Sequence, residues 1–323
     1  MPYNLFEQAV QGEAGNCDSA LSCKSAWPDG AGCASFASHS RRNNPSAEQY
    51  IQQIAHTFEH IKHTLFIMSG KGGVGKSSVT VNVAVGLALK GFKVGILDVD
   101  IHGPSIANLL GLGHGLNMDE AGEKLVPAEY LPNLHVISMD SFLQDKNTAI
   151  LWRGAKKTMA IRQFLSGVQW GNLDFLVIDS PPGTGDEHLT ILKTIPDALS
   201  IMVTTPQEIS LADVRKAINF LQHTRGKILG LVENMSGLSC PNCGHDILLF
   251  KKGGGKALAK QHGIPFLGAI ALDPISVLAA DVGNPVVLLE NDSVAKRDFL
   301  ALADTVVEIV KQDAGVVLPR PEK

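Results

Sequence analysis

The feature that most constrains this chain is a glycine-rich loop between an apolar run and an Ala/Val/Leu-rich run. Residues 65–68 (LFIM) predict a short buried strand, and residues 70–77 (GKGGVGKS) complete the pattern G-x-x-x-x-G-K-S. Glycines let the backbone bring successive N–H groups against phosphate oxygens, and the N-terminus of the following helix adds a positive dipole end. The order strand, loop, helix therefore predicts a nucleotide site rather than a simple turn.

Each position of this loop has an expected part in binding. The Lys76 ammonium is expected to reach the β- and γ-phosphates, and the Ser77 hydroxyl to coordinate Mg²⁺. Lys71 is a second lysine, directly after the first glycine, and a surface loop commonly carries such a solvated side chain. The predicted nucleotide-binding residues of the loop are Gly70, Lys71, Gly72, Gly73, Val74, Gly75, Lys76, Ser77 and Ser78.

Size and charge limit the possible functions. A chain of 323 residues that is 45% hydrophobic can bury a full α/β core and still carry an extra segment. A formal net charge of −4 gives no reason to expect nucleic acid or an anionic membrane as a partner. No apolar run is long enough to span a bilayer, and the first residues lack the basic start and apolar stretch of a secretory signal. We therefore expect a cytoplasmic protein.

The chain divides into four expected regions. Residues 1–45 are a flexible, cysteine-containing extension, 46–63 an amphipathic helix, 64–315 a P-loop ATPase domain, and 316–323 a tail. Strand-like runs alternate with helical stretches through the third region. This alternation predicts an α/β fold with a doubly wound, mainly parallel sheet.

Carboxylates stand directly after or at the ends of predicted strands. Asp98 and Asp100 follow the apolar residues 94–97, and Asp179 ends the apolar run that begins at Leu173. Open α/β sheets bind ligands beyond the carboxyl ends of their strands. The Asp179 carboxylate is thus expected to hold Mg²⁺ together with the Ser77 hydroxyl. An alternative for the first two is that one of them caps a helix that starts near Pro104.

The five cysteines fall into two clusters. Cys17, Cys23 and Cys33 lie in the extension, where free thiols and a metal cluster are both open. Cys240 and Cys243 form a C-x-x-C pair, which supplies two soft ligands on one tight turn. Zinc and an iron–sulfur cluster both need four such ligands, and a two-fold axis between two copies of the chain would supply them.

Four segments resemble one family. GKGGVGKS (70–77), DVDIHGPS (98–105), SPPGTGDE (180–187) and ENMSGLSCPNC (233–243) are similar to the Mrp family of iron–sulfur carrier ATPases, within the MinD and nitrogenase-iron-protein group, over roughly residues 46–310. The resemblance implies that Lys71 crosses a dimer interface to the partner's nucleotide and that Asp100 positions the attacking water. With Lys76, these are the expected catalytic residues.

The same resemblance implies further site residues and a function. Gly183 is expected to offer its N–H to the γ-phosphate, and Asn234 to bind the adenine base. Cys240 and Cys243 of two subunits are expected to hold a labile [4Fe–4S] cluster that is delivered to apoproteins. The expected cofactors are thus ATP, Mg²⁺ and [4Fe–4S]. The expected partners are a second copy of the chain, acceptor proteins and a cluster donor, without nucleic acid or membrane.

Two other functions stay open beside this hypothesis. A MinD- or ParA-like positioning ATPase at a membrane would be expected to end in a basic amphipathic helix. Asp304, Glu308 and Asp313 make the predicted helix 293–313 unsuitable for that role. A zinc-bridged dimeric ATPase would use the same cysteine pair, since C-x-x-C alone does not distinguish zinc from iron–sulfur.

Overall fold

The computed structural model describes residues 47–100, 103–113, 117–122, 124–139, 154–240, 243, 245–247 and 249–312. The predictions for Cys17, Cys23, Cys33 and the tail 316–323 lie outside these residues. In the described residues the helices are α1 Ala47–Phe58, α2 Lys76–Leu89, α3 Ile106–Leu109, α4 Gly154–Gly167, α5 Asp186–Thr194, α6 Glu208–Thr224, α7 Gly254–His262, α8 Pro274–Asp281 and α9 Val294–Gln312. The strands are β1 Ile61–Ser69, β2 Val94–Asp98, β3 Asn117–Met118, β4 Leu125–Val126, β5 Ala128–Leu131, β6 Leu134–Ser138, β7 Leu173–Asp179, β8 Leu199–Thr204, β9 Lys227–Glu233, β10 Leu238–Ser239, β11 Asp246–Ile247 and β12 Phe266–Ala269.

Eight strands form one sheet in the order β12-β9-β8-β1-β7-β2-β6-β5. All neighbours pair in parallel except β5, which is antiparallel to β6 at one edge. The strand order moves outward from β1 in both directions, so the crossovers place helices on both faces. The predicted doubly wound, mainly parallel α/β fold is confirmed.

Helices cover both faces of the sheet and give the protein two hydrophobic cores. Strand β1 contributes to both, because Phe66 and Met68 point to one core and Leu65 and Ile67 to the other. The first core packs helices α1, α4, α5, α6 and α7, and the second packs α2 and α9. A strand buried on both sides reads as a continuous apolar run, which is why residues 65–68 show no alternation of polar and apolar side chains.

The helix expected over 46–63 is shorter in the structure. It ends at Phe58, and β1 already begins at Ile61. Ile61 and His63 continue the helical spacing of apolar and polar residues, yet they align with Leu173 and Phe175 in the parallel ladder with β7. Pairing with a strand more than a hundred residues away thus outweighs the local helical period.

No helix among the described residues is long and apolar enough to cross a membrane.

Candidate functional site

The glycine-rich loop lies where β1 ends and α2 begins, as the sequence predicts. Gly73 and Gly75 have φ of 79° and 80°, in the left-handed region that favours glycine. A Cβ on Gly75 would lie 2.1 Å from the Asn234 amide nitrogen, and one on Gly70 would lie 2.5 Å from a backbone carbon of Asp213 in α6. These glycines therefore allow the neighbouring elements to close onto the loop.

Asp179 collects the polar side chains at the start of α2. Its Oδ2 accepts a hydrogen bond from Lys76 Nζ at 2.6 Å and one from Ser77 Oγ at 2.7 Å. Its Oδ1 accepts one from Thr80 Oγ1 at 2.5 Å. Lys76 is 7% exposed and Asp179 is fully buried, so the ion pair is held away from water. The structure thus brings together three residues expected to meet the phosphates and Mg²⁺.

Asp98 lies beside Asp179, at the paired position of the adjacent strand β2. Burial, with the Asp179 charge as second cause, raises the pKa of Asp98 to about 7. Its carboxylate accepts hydrogen bonds from Ser138 Oγ at 2.8 Å and from the Asp100 N–H at 3.0 Å. It also accepts the N–H of Ile106, the first residue of α3, at 3.4 Å, which is the helix-capping role the sequence left open.

Two predicted phosphate-side groups have protein partners in this arrangement. The Asp100 carboxylate accepts the N–H of Gly103 at 3.1 Å. The Gly183 N–H, expected to face the γ-phosphate, donates to the Ser69 carbonyl at 2.9 Å. A contact of Gly183 with phosphate would therefore require this bond to break. Lys71 is half-buried in the loop.

Asn234 follows β9 and contacts the loop from the side. Its amide Nδ2 donates to the Val74 carbonyl at 2.9 Å, so part of the donor capacity expected to serve adenine is already used. Asn234 also lines a cavity of about 220 Å³ with Gly75 and Ser78. The other lining residues come from α2, the residue after Asn234, the segment after β12, α8 and α9, and they include Val81, Asn82, Met235, Ile270, Ala271, Leu272, Asp273, Ser276, Val277 and Phe299.

The motifs did not indicate two parts of the site. One is the cavity wall formed by the residues that follow β12, and the other is Thr80. A usable signal was present at Asp273-Pro274, since Asp at N-cap followed by Pro at the first helical position marks a helix start. The Asp273 carboxylate indeed accepts the Ile275 N–H at 2.9 Å. Thr80 lies one helical turn after Lys76, which places both side chains on the same face of α2.

The cysteine pair stands on a small hairpin. Strands β10 and β11 pair antiparallel, and the Cys240 N–H donates to the His245 carbonyl at 2.9 Å. Cys240 is partly exposed and Cys243 is exposed, and both thiols are free of disulfides. Among the described residues, no three metal-binding side chains cluster. One chain therefore brings two cysteines together on this hairpin.

Comparison with known proteins gives the family. Residues 60–307 match the model of the NUBPL iron-transfer P-loop NTPases, within the ParA group. The chain belongs to this family of iron-transfer P-loop NTPases.

Relatives of this iron-transfer family extend over most of the chain. An iron–sulfur cluster carrier protein of Methanococcus maripaludis is 44% identical over 302 residues, which cover 93% of this chain and 98% of the relative. The cytosolic Fe–S cluster assembly factor CFD1 of Saccharomyces cerevisiae is 44% identical over 253 residues, 75% of this chain and 86% of its own.

Solved structures agree with the fold of this iron-transfer NTPase. A nucleotide-binding protein of Archaeoglobus fulgidus in complex with ADP matches with a TM-score of 0.66 and 37% identity, over 77% of this chain and 96% of its own. The cell-division ATPase MinD of Pyrococcus furiosus matches with a TM-score of 0.58 and 22% identity, over 77% and 99%. The second likeness shows a shared fold alone.

Proposed function

We propose that this protein is an ATP-dependent iron–sulfur carrier that holds a [4Fe–4S] cluster between two subunits and delivers it to apoproteins. The observation that carries the proposal is that one chain combines a phosphate loop, backed by buried strand-end carboxylates, with a C-x-x-C pair in which Cys240 is partly exposed and Cys243 is exposed. The names of the archaeal and yeast relatives support it. A positioning ATPase would need the first feature only.

The ATPase part of the proposal rests on the contacts of Asp179. Lys76 is assigned to the β- and γ-phosphates, yet its ammonium is paired with Asp179 at 2.6 Å. Nucleotide binding must therefore exchange this ion pair for a phosphate contact. Asp100 is assigned to orient the attacking water, and Lys71 to act on the nucleotide of the partner subunit.

The residues around Asp179 also fit Mg²⁺. Hard divalent cations prefer oxygen ligands, and the Ser77 hydroxyl and Asp179 carboxylate lie 2.7 Å apart. When bound, Mg²⁺ supplies positive charge to the phosphate oxygens. Ser77 and Asp179 are the residues that would hold it.

Asn234 and the adjoining cavity are assigned to the nucleoside. The cavity begins at Gly75 and Ser78 of the phosphate loop, so a nucleotide with its phosphates on the loop could place its base and ribose there. The remaining acceptor of the Asn234 side chain is available to a base amine. The nucleotide-binding set is then the loop residues 70–78 with Asp179, Gly183 and Asn234.

The cluster is assigned to Cys240 and Cys243 of two subunits. Each chain provides two thiolates, and a homodimer with a two-fold axis provides the four that a [4Fe–4S] cluster requires. A zinc-bridged dimer remains the competing assignment. Acceptor apoproteins and a cluster donor follow as partners, and the relatives named as cytosolic assembly factors favour a cytoplasmic location.

Anaerobic cluster reconstitution tests the assignment. Wild-type protein is expected to bind about four iron and four sulfide per dimer with a visible absorption band. Cys240→Ser or Cys243→Ser removes two of the four ligands of a dimer and should abolish that band. The matched control replaces Cys17, Cys23 and Cys33 by Ser together, which should leave this cluster in place.

Three measurements decide between the alternatives. Iron and zinc analysis distinguishes the cluster from a zinc bridge. Full iron content in Cys240→Ser, together with loss in the triple variant, would place the cluster on the extension instead. Absence of transfer from the loaded dimer to any apo-ferredoxin-type acceptor would contradict the carrier function.

A further inference from the structure

The segment between β9 and α7 carries the cysteine pair, and both of its ends meet one buried carboxylate. We call residues 236–253 the cysteine segment. Glu233, the last residue of β9, is fully buried. Its Oε1 accepts a hydrogen bond from Ser236 Oγ at 2.5 Å and from the Gly253 N–H at 2.8 Å, and its Oε2 accepts the Gly255 N–H at 2.5 Å. The carboxylate therefore joins the start of the segment to its return.

The return end is shaped to fit this carboxylate. Gly253 has φ of 84°, which favours glycine, and it immediately precedes α7. A Cβ on Gly255 would lie 3.1 Å from Glu233 Oε2 and 2.9 Å from Leu231 Cδ2. The glycines thus let the N-terminus of α7 close onto the carboxylate, and the helix dipole stabilises the negative charge there.

The two ends of the segment differ in their other support. At the start, the Ser236 N–H donates to the Ile270 carbonyl, and the Leu272 N–H donates to the Gly237 carbonyl, both at 2.8 Å. These bonds tie the start to the chain after β12 whether or not Glu233 is present. The effect of losing the Glu233 carboxylate is therefore best measured at the return end, where these two bonds do not act.

The next residue along the chain connects the same strand end to the nucleotide loop. Asn234 donates to the Val74 carbonyl, as described above. Met235 follows with φ of 56°, an uncommon conformation for a residue with a long side chain. Two adjacent residues at the end of β9 thus hold the phosphate loop and the cysteine segment, with a strained residue directly after them.

We propose that Glu233 is a positioning residue that fixes the cysteine segment to the end of β9 and so transmits the nucleotide state to the cysteine pair. The coupling part rests on the proposed function, whereas the clamping part concerns the fold alone. A carboxylate is needed because it accepts all three hydrogen bonds, while an amide of the same shape replaces one acceptor oxygen with a donor.

Hydrogen exchange tests the clamp without reference to function. In Glu233→Gln, amides in peptides that cover residues 249–258 should exchange about tenfold faster than in wild type, because one glycine N–H loses its acceptor. The matched control is Asp174→Asn, which alters a carboxylate that accepts the Lys93 N–H at 2.8 Å at the amino end of β7, whereas Glu233 lies at the carboxyl end of β9. Peptides 249–258 should be unchanged in that variant. Unchanged exchange in Glu233→Gln would overturn the clamp.

Cobalt titration tests the coupling. Co²⁺ bound to thiolates gives a charge-transfer band, so its affinity for the full-length protein can be measured with ADP and with a non-hydrolysable ATP analogue. We expect the two wild-type affinities to differ by about fivefold or more. Glu233→Gln should bring their ratio close to one while both nucleotides bind as in wild type. Ser236→Ala, which removes one donor, should give an intermediate ratio and serves if Glu233→Gln does not fold.

The outcomes separate the inference from the proposed function. A wild-type ratio of one, or an unchanged ratio in both variants, would overturn the coupling. Faster exchange in Glu233→Gln, in a protein that takes up no iron–sulfur cluster, would retain the clamp and reject the carrier function. A purely structural role would lower cobalt affinity equally with both nucleotides and leave the ratio as in wild type.

Discussion

The buried side chain of His188 should make an unfavourable contribution to the free energy of unfolding at mildly acidic pH. His188 in α5 is fully buried, and its ring packs against Phe66 and Phe220 with centroid distances of 5.7 and 6.3 Å. Its Nε2 lies 3.2 Å from Ser180 Oγ, and its Nδ1 has no hydrogen-bond partner in the described part of the chain. Such surroundings cannot solvate an imidazolium, so burial lowers the pKa of His188 from 6.5 to about 4.

The sign and size follow from proton binding. Between pH 6.5 and about 4 the unfolded chain binds a proton at His188 and the folded chain does not, so the free energy of unfolding falls as the pH falls through this window. The loss is about 2 kcal/mol at pH 5 relative to pH 7.5 and approaches about 3 kcal/mol near pH 4. Asp98 acts in the opposite direction, because its pKa is raised to about 7 and the folded state takes up its proton first. Wild-type stability alone therefore hides the effect.

Urea unfolding of matched variants isolates the contribution of His188 to the pH dependence of stability. The free energy of unfolding of wild type minus that of His188→Leu should fall by about 2 kcal/mol from pH 7.5 to pH 5, because only wild type carries the histidine. Ser180→Ala is the control, since it keeps the buried ring and should follow the wild-type pH dependence. A difference between wild type and His188→Leu that is the same at both pH values would refute the reasoning.

Two further predictions concern the start of α2. Lys76→Ala should lose nucleotide binding, whereas Lys71→Ala should bind ATP and hydrolyse it slowly; calorimetry and phosphate release measure both, and normal turnover in both would contradict their assigned roles. Thr80→Val removes a donor from the buried Asp179 and should lower the free energy of unfolding by about 1–3 kcal/mol in urea. Thr194→Val removes a hydroxyl that donates to the Thr190 carbonyl within α5 at 2.6 Å and should cost less, and an equal loss would argue against the Asp179 contact.

Local sequence determined the parts of the site that lie within one strand–loop–helix unit. The phosphate loop needs glycines at positive φ, a lysine at the helix start and an apolar strand before it, and all of these are neighbours in sequence. The position of Asp179 could be predicted equally well, since a carboxylate that ends an apolar run in an α/β chain lies at the carboxyl ends of the strands, where ligands bind.

Contacts between distant segments were not predictable in this way. The bond between Asn234 and Val74 joins residues 160 positions apart, and the bond between Gly183 and Ser69 joins the segment 180–187 to the end of β1. A motif states which groups can meet a phosphate, but it does not state which protein partners they have. The early start of β1 at Ile61 has the same origin, because its partner Leu173 is remote in sequence.

Among the described residues, the buried carboxylates lie at or just after the carboxyl ends of the strands. At the carboxyl ends of the strands, Asp98 and Glu233 are fully buried carboxylates, and Met235 has a left-handed backbone. Each of these features lowers stability unless its neighbours compensate for it.

The amino ends of the same strands carry ordinary surface pairs. Lys62–Asp174 and Lys227–Asp197 are ion pairs in which at least one side chain is mostly exposed, and such pairs contribute little to stability in either direction. The two hydrophobic cores run along the strands, and their packing compensates for the unfavourable burial of carboxylates at the carboxyl ends. A chain selected for stability alone would have no reason to place its buried carboxylates together. Their grouping around the phosphate loop and the start of the cysteine segment is the arrangement expected if the nucleotide site and the cysteine pair are coupled.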